Sequence, residues 1–119
     1  MSFIPKVLII AGSDSGGGAG IQADIKTTSY FNGYAMTAIT AITAQNTVGV
    51  QSIYSLPKEI VMEQINSITT DLSPDIVKIG MLADLDIIEY ISKNISNYKI
   101  ILDPVMVATS GDVLVSDEV

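Results

Sequence analysis

Short apolar runs rich in β-branched residues alternate along this chain with longer stretches in which apolar residues recur every three or four positions. The short runs are bounded by glycine, asparagine or aspartate, which is typical of strands. One of them, Val50–Tyr54, is short and reads as an edge strand. The other predicted strands are Lys6–Ala11, Ala35–Ala44, Asp75–Ile79 and Lys99–Leu102.

The periodic stretches between these strands predict helices with recognisable ends. Gly33 is placed to stop the first helix, Pro57 and Glu59 suit the first turn of the second, and Asp84 can cap the third. The predicted helices are Ala19–Asn32, Ser55 to about Thr70, and Asp84 to about Asn97. Their expected core-facing residues are Ile21, Ile25, Thr28, Ile60, Ile65, Ile68, Ile87, Ile88, Ile91 and Ile95.

Strands that alternate with helices indicate an α/β fold with a parallel, doubly wound sheet. Ligands of such sheets bind beyond the carboxyl ends of the strands. The residue types that are unusual in this chain fall at those ends. They are Gly12–Gly20, Gln45–Asn46, Gly80–Met81 and Asp103–Gly111.

Composition narrows the class of protein. The 119 residues are 48% hydrophobic and 16% charged, which fits one domain or part of one and excludes disorder. The net charge of −7, with scattered lysines and no arginine, argues against a nucleic-acid partner. No apolar run approaches the roughly 20 residues of a membrane span, and no signal peptide is evident. The absence of cysteine suits a cytoplasmic protein.

The last residues, Ser116–Val119, read as a helix cap with an acidic first turn, after which the sequence stops. A single helical turn is unfavourable unless the helix continues. We therefore expect this sequence to be a truncated form of a longer polypeptide, with a frayed natural end as the alternative.

The glycine-rich segment between the first strand and the first helix suggests a ligand that approaches the backbone closely. It is not a P-loop, because Gly17 is followed by Gly18 rather than by lysine. The stretch Gly18–Ala23 fits the dinucleotide spacing G-x-G-x-x-A, but no acidic residue lies between Asp24 and Glu59 to bind a ribose. A dehydrogenase is therefore weakly supported, and a small-molecule site is favoured.

Two acidic residues accompany these glycines. Asp14 lies in the loop, and Asp24 lies early in the helix beside the apolar residues Ile21 and Ile25. Both are candidates for a binding site. The alternative is that each carboxylate only complements the positive end of the helix dipole.

The segment A-G-S-D-S-G-G-G-A-G-I-Q-A-D-I-K-T (Ala11–Thr27) resembles the opening of the hydroxymethylpyrimidine/phosphomethylpyrimidine kinases of thiamine biosynthesis. The resemblance continues in the family's order through three further motifs and covers essentially the whole chain. They are T-A-I-T-A-I-T-A-Q-N-T-V-G-V (Thr37–Val50), K-I-G-M-L (Lys78–Leu82) and D-P-V-M-V-A-T-S-G (Asp103–Gly111).

The resemblance implies a ribokinase-like three-layer α/β/α sandwich with a mostly parallel sheet. Residues 1–119 would be the N-terminal portion of a single domain, incomplete without its C-terminal half. The implied activity is ATP-dependent phosphorylation of 4-amino-5-hydroxymethyl-2-methylpyrimidine and then of its monophosphate, with Mg²⁺. A cytoplasmic enzyme, homodimeric at full length, is expected.

The resemblance also assigns site residues. Gly12, Asp24, Gln45, Met81 and Val105 match positions that line the family's pyrimidine pocket. The residue types suit this role, because an amide complements an aminopyrimidine edge, a carboxylate accepts an N–H, and a thioether packs on a flat ring. The alternatives are a solvated loop for Gln45 and ordinary core filling for Met81.

Asp103 matches an acidic residue near the phosphate and magnesium region of the family. A carboxylate is a suitable hard ligand for Mg²⁺, directly or through water. The alternative is a turn-initiating aspartate before proline.

No catalytic residue is assigned within this chain, because in the family the base lies in a second glycine-rich loop of the C-terminal half. The fragment alone is therefore expected to be inactive. A pyridoxal-type kinase of the same superfamily and a non-catalytic pyrimidine-binding module stay open beside the main interpretation.

Overall fold

The computed structural model describes residues 3–82 and 84–103. Within them, strands and helices alternate as the apolar pattern predicts. The strands are β1 (Lys6–Ser13), β2 (Tyr34–Gln45), β3 (Val50–Ser55), β4 (Ile76–Ile79) and β5 (Lys99–Leu102). The helices are α1 (Gly20–Tyr30), α2 (Lys58–Asp71) and α3 (Leu85–Asn94).

The strands form one sheet in the order β3-β2-β1-β4-β5. β1 is central and pairs in parallel with both β2 and β4, and β4 pairs in parallel with β5. β3 runs antiparallel to β2 and lies at the edge. The prediction of a mostly parallel α/β sheet with Val50–Tyr54 at its edge is therefore confirmed.

Helices cover both faces of the sheet. Successive residues of β1 point to opposite faces, so they pack against different helices. Leu8 and Ile10 pack with the apolar faces of α2 and α3, whereas Ile9 packs with Ile21 of α1. Leu8, Ile9 and Ile10 are fully buried. The predicted three-layer α/β/α arrangement is thus confirmed.

Helix α1 ends at Tyr30, two residues before the predicted Asn32. Asn32, rather than Gly33, adopts the left-handed conformation, with φ of +63°. Asn32 N–H donates to the Ser29 carbonyl at 3.0 Å and Gly33 N–H to the Thr28 carbonyl at 2.8 Å, which is a Schellman motif. A Cβ on Gly33 would lie 2.8 Å from Thr28 Cγ2 and 3.2 Å from the Thr28 carbonyl oxygen, so a larger residue there would require a local shift.

Helix α2 begins at Lys58, three residues later than predicted, with Pro57 at its N-cap. The prediction that Ile60 faces the core is wrong, because Ile60 is 42% exposed. Val61 and Ile65 are the buried residues. Successive helical residues are rotated by about 100°, so Ile60 falls outside the face that Val61 and Ile65 define.

Helix α3 begins as predicted, since the Asp84 side chain accepts a hydrogen bond from Asp86 N at 2.8 Å. It ends at Asn94, before the predicted Asn97. Lys58 of α2 and Asp86 of α3 form an exposed ion pair at 2.6 Å. The hydrogen bond and the charge of Asp86 raise the pKa of Lys58 above its usual value.

The Gln64 side chain satisfies the backbone of β2 at its outer edge, at Ile39. The pairing of β2 with β3 begins only at Ala41. Gln64 of α2 accepts from Ile39 N–H at 2.9 Å and donates to the Ile39 carbonyl at 3.0 Å. Its amide thus takes the place of a neighbouring strand.

Among the described helices, none has the length and apolar character needed to cross a bilayer.

Candidate functional site

The carboxyl ends of β1, β2, β4 and β5 meet at one edge of the sheet, where the sequence places its unusual residues. Gly80 N–H donates to the Ile10 carbonyl at 2.8 Å, so the residues after β4 continue beside β1. Asp103 N–H donates to the Ile79 carbonyl at 2.9 Å and stays at the same edge. Parallel pairing therefore gathers segments that are far apart in sequence.

The loop after β1 folds around the carboxylate of Asp14. Asp14 Oδ1 accepts from Gly16 N–H at 2.7 Å, and Oδ2 accepts from Gly18 N–H at 3.0 Å and from Ala19 N–H at 2.9 Å. Asp14 is only 6% exposed. A glycine-rich loop can direct its backbone amides at a bound anion. Here the three amides are directed instead at a carboxylate of the same chain.

Positive φ angles occur at Gly17 (+81°) and Gly20 (+58°) in this loop. A Cβ on Gly20 would lie 2.4 Å from the Gly12 carbonyl oxygen, much closer than a real contact. At Gly20, the missing side chain thus lets the backbone approach the end of β1 rather than a ligand.

Gln22, which is not among the predicted site residues, joins this loop to α1. Its Oε1 accepts from Asp14 N–H at 2.8 Å, and its Nε2 donates to Ser13 Oγ at 2.7 Å. The available signal was its place in the first turn of α1, directly after a glycine-rich loop. Both polar ends of Gln22 are used within the chain.

Gln45 lies at the end of β2 and is tied to the loop by Ser15. Ser15 Oγ donates to the Gln45 carbonyl at 2.6 Å and accepts from Gln45 N–H at 2.7 Å. Thr43 Oγ1 lies 2.8 Å from the Ser13 carbonyl oxygen and 3.1 Å from Gln45 Oε1. Gln45 is therefore the last residue of β2, with its backbone tied to the loop and its side chain in contact with Thr43.

Met81 and Gly12 lie directly against each other. A Cβ on Gly12 would be 2.5 Å from Met81 Cε, so a larger residue at position 12 would require the end of this methionine side chain to move. Met81 is 8% exposed, and its carbonyl accepts from Thr40 Oγ1 at 2.9 Å. Met81 thus contributes to the core while its thioether end packs on β1.

Asp24 pairs with Lys78 of β4, a contact that the sequence did not predict. The two side chains are 16% and 28% exposed. Asp24 lies beyond the first turn of α1, which contains no acidic residue, so it does not act as a partner of the helix dipole. An ion pair between α1 and the sheet explains its position instead.

Asp103 is exposed at the end of β5. Among residues 3–82 and 84–103, no three acidic side chains cluster as a metal site. Mg²⁺ often takes only one or two protein carboxylates and completes its shell with water and substrate phosphate, so Asp103 alone is compatible with it. Val105 lies outside the described residues.

Comparison with known proteins gives consistent matches. The family model for phosphomethylpyrimidine kinase matches residues 14–119. The hydroxymethylpyrimidine/phosphomethylpyrimidine kinase of Bacillus subtilis is 52% identical over 118 residues, which are 97% of this chain and 44% of that protein. The chain therefore spans less than half the length of this relative.

Solved structures agree in both fold and sequence. The crystal structure of phosphomethylpyrimidine kinase from Clostridium difficile superposes with a TM-score of 0.84 at 47% identity, covering 98% of this chain and 51% of that one. Staphylococcus aureus pyridoxal kinase in complex with pyridoxal gives a TM-score of 0.80 at 34% identity, covering 89% and 41%. Both matches support the ribokinase-like fold that the motifs imply.

Proposed function

This chain belongs to the phosphomethylpyrimidine kinase family, and from that premise we propose that it supplies most of the pyrimidine site of an ATP-dependent kinase. The proposed substrates are 4-amino-5-hydroxymethyl-2-methylpyrimidine and its monophosphate. The reaction joins the terminal phosphoryl group of ATP to the hydroxymethyl oxygen, or to a phosphate oxygen in the second step, and releases ADP.

One observation carries the proposal. Met81 packs against Gly12, and Gln45 is bound through Ser15 to the loop that follows Gly12. The apolar Met81 side chain and the backbone of Gln45 are thereby placed at the end of the same strand, and the side-chain amide of Gln45 contacts Thr43 Oγ1 at 3.1 Å. An aminopyrimidine needs this combination, because its ring faces are apolar while its amino edge both donates and accepts hydrogen bonds.

The ion pair of Asp24 is compatible with a role in binding. A carboxylate has two oxygens, and Lys78 is bound to Oδ1. Oδ2 is then the atom proposed to accept an N–H of the pyrimidine. The Lys78 ammonium would hold the Asp24 carboxylate in place through their ion pair.

Catalysis requires groups beyond this pocket. When bound, ATP supplies the phosphoryl group and Mg²⁺ neutralises charge on its phosphates. Asp103 is the proposed contact to Mg²⁺, directly or through water, and Val105 is a proposed apolar contact to the pyrimidine. The catalytic base and most of the ATP site are proposed to lie outside residues 1–119, since this sequence has no histidine, cysteine or arginine.

Turnover by the natural full-length polypeptide tests the proposal. Its mass is measured first, and ADP formation is then compared with hydroxymethylpyrimidine, its monophosphate and pyridoxal as acceptors. Faster turnover of hydroxymethylpyrimidine supports the proposal. Faster turnover of pyridoxal would favour the second candidate, to which the pyridoxal complex of the S. aureus relative points.

The cellular context is also a proposal. We propose a cytoplasmic enzyme because residues 1–119 contain no cysteine that could form a disulfide, and a homodimer because the family is commonly dimeric. Light scattering of the full-length polypeptide measures the second point. A monomeric mass at assay concentration would remove the dimer from the proposal.

A further inference from the structure

Asp14 is a buried acidic residue to which the proposed function gives no role. It is 6% exposed, and its carboxylate accepts hydrogen bonds from the amides of Gly16, Gly18 and Ala19. Hydrogen bonds to a charged acceptor are stronger than neutral ones. Removing the carboxylate would leave these amides directed at an empty space.

The backbone of Asp14 contributes to the same arrangement. Gly17 N–H donates to the Asp14 carbonyl at 3.0 Å, and Asp14 N–H donates to Gln22 Oε1 at 2.8 Å. On the outer side of the loop, Lys26 Nζ donates to the Gly17 carbonyl at 2.9 Å. The backbone conformation from Gly16 to Ala19 is therefore held by hydrogen bonds to one carboxylate, that of Asp14.

This shape reaches the end of β2 through direct contacts. Ser15, next to Asp14, makes two hydrogen bonds with the backbone of Gln45. A Cβ on Gly16 would lie 3.2 Å from the Gln45 carbonyl oxygen and 3.3 Å from Asn46 Cα. A change in the loop would therefore move Gln45.

We propose that Asp14 is a positioning residue for pyrimidine binding, an internal anion that holds the glycine loop so that Gln45 has its binding geometry. This inference rests on the proposed function. It also gives the glycines a purpose different from a phosphate cradle, because Asp14 occupies the amides that a phosphate would use. Asp14 itself is proposed to make no contact with substrate.

The decisive variant is Asp14→Ala in the natural full-length polypeptide, with formate as a replacement anion. Asp14→Ala is expected to raise the Kd of 4-amino-5-hydroxymethyl-2-methylpyrimidine by about tenfold, the effect of displacing the hydrogen bonds of Gln45 to the substrate. Because the vacated amides form an anion site, formate is expected to restore part of the affinity. Titration calorimetry measures both Kd values.

Asp75→Ala is the matched control. Asp75 Oδ2 also accepts a backbone hydrogen bond, from Lys6 N–H at 2.8 Å, but at the opposite end of the strands. Its variant is expected to bind the pyrimidine with unchanged Kd and to show no response to formate. A formate response of equal size in both variants would overturn the inference.

Ser15→Ala keeps the inference testable if Asp14→Ala fails to fold. It removes only the two bonds to Gln45 from an exposed residue. The Kd should rise severalfold without a change in melting temperature, and an unchanged Kd would show that the loop does not position Gln45. Wild-type binding is measured first, since its absence would count against the proposed function rather than against Asp14 alone.

Discussion

Replacing Gly20 by alanine tests whether the glycine loop is built on a close approach within the chain. Gly20 has φ of +58°, and an added Cβ would lie 2.4 Å from the Gly12 carbonyl oxygen. A left-handed conformation costs a non-glycine residue roughly 1–3 kcal/mol. The contact with a backbone atom adds to this, because a carbonyl cannot rotate away as a flexible side chain can.

The expected loss of unfolding free energy is therefore about 2–4 kcal/mol for Gly20→Ala. Alanine also reduces the entropy of the unfolded chain, which offsets this loss by about 0.4–1 kcal/mol. Gly18→Ala is the matched control. A Cβ there would meet only Asp14 Oδ2, at 3.9 Å, and Gly18 has no positive φ.

Urea denaturation followed by circular dichroism gives the free energy of unfolding of both variants in the natural full-length polypeptide. Gly18→Ala should change it by no more than about 0.5 kcal/mol. The reasoning is refuted if Gly20→Ala is as stable as Gly18→Ala. In that case the loop would relax away from Gly12 at little cost, and the fixed end of β1 would not be a structural requirement.

Three further substitutions separate binding from folding. Gln45→Ala should raise the Kd for pyrimidine about tenfold with little change in stability, and calorimetry showing an unchanged Kd would remove Gln45 from the site. Lys78→Met leaves Asp24 without its cation, so the free energy of unfolding should fall by about 1–3 kcal/mol and pyrimidine affinity should fall as well. An unchanged affinity in the folded variant would show that the Asp24 ion pair plays no part in binding. Gln64→Leu removes both bonds to Ile39, so the free energy of unfolding measured by urea denaturation should fall by about 1–3 kcal/mol. Pyrimidine binding should equal that of wild type, because α2 lies away from the site. Weakened binding would show that α2 contributes to the site.

The architecture was predictable because its signals are local. β-branched runs and intervening amphipathic stretches are visible in any short window of the sequence, and they gave a mostly parallel sheet in the correct element order. The cap of α3 was predictable for the same reason, since Asp84 lies two residues before the amide that it accepts from. Where the signal is ambiguous by one position, as at Ile60 and Val61, the sequence alone did not decide which residue is buried.

The internal contacts of the candidate site were not predictable in the same way. The sequence placed Asp14 and Asp24 beside glycines but did not show their partners. Lys78 is 54 residues from Asp24, and only the pairing of β4 with β1 brings it under α1. The amides that bind Asp14 are close in sequence, but a glycine-rich loop has too many conformations for its hydrogen bonds to be inferred.

The central position of β1 has a consequence for the order in which the protein matures on the ribosome. Synthesis proceeds from the amino terminus, so β1 can pair with β2 well before β4 has been made. Until Ile76–Ile79 emerges, one edge of the most buried strand has no neighbour, and such an edge can recruit strands of other chains. Lys78 and Met81 are synthesised with or directly after that strand, so the step that gives β1 its second neighbour also brings these two residues to the proposed pyrimidine site.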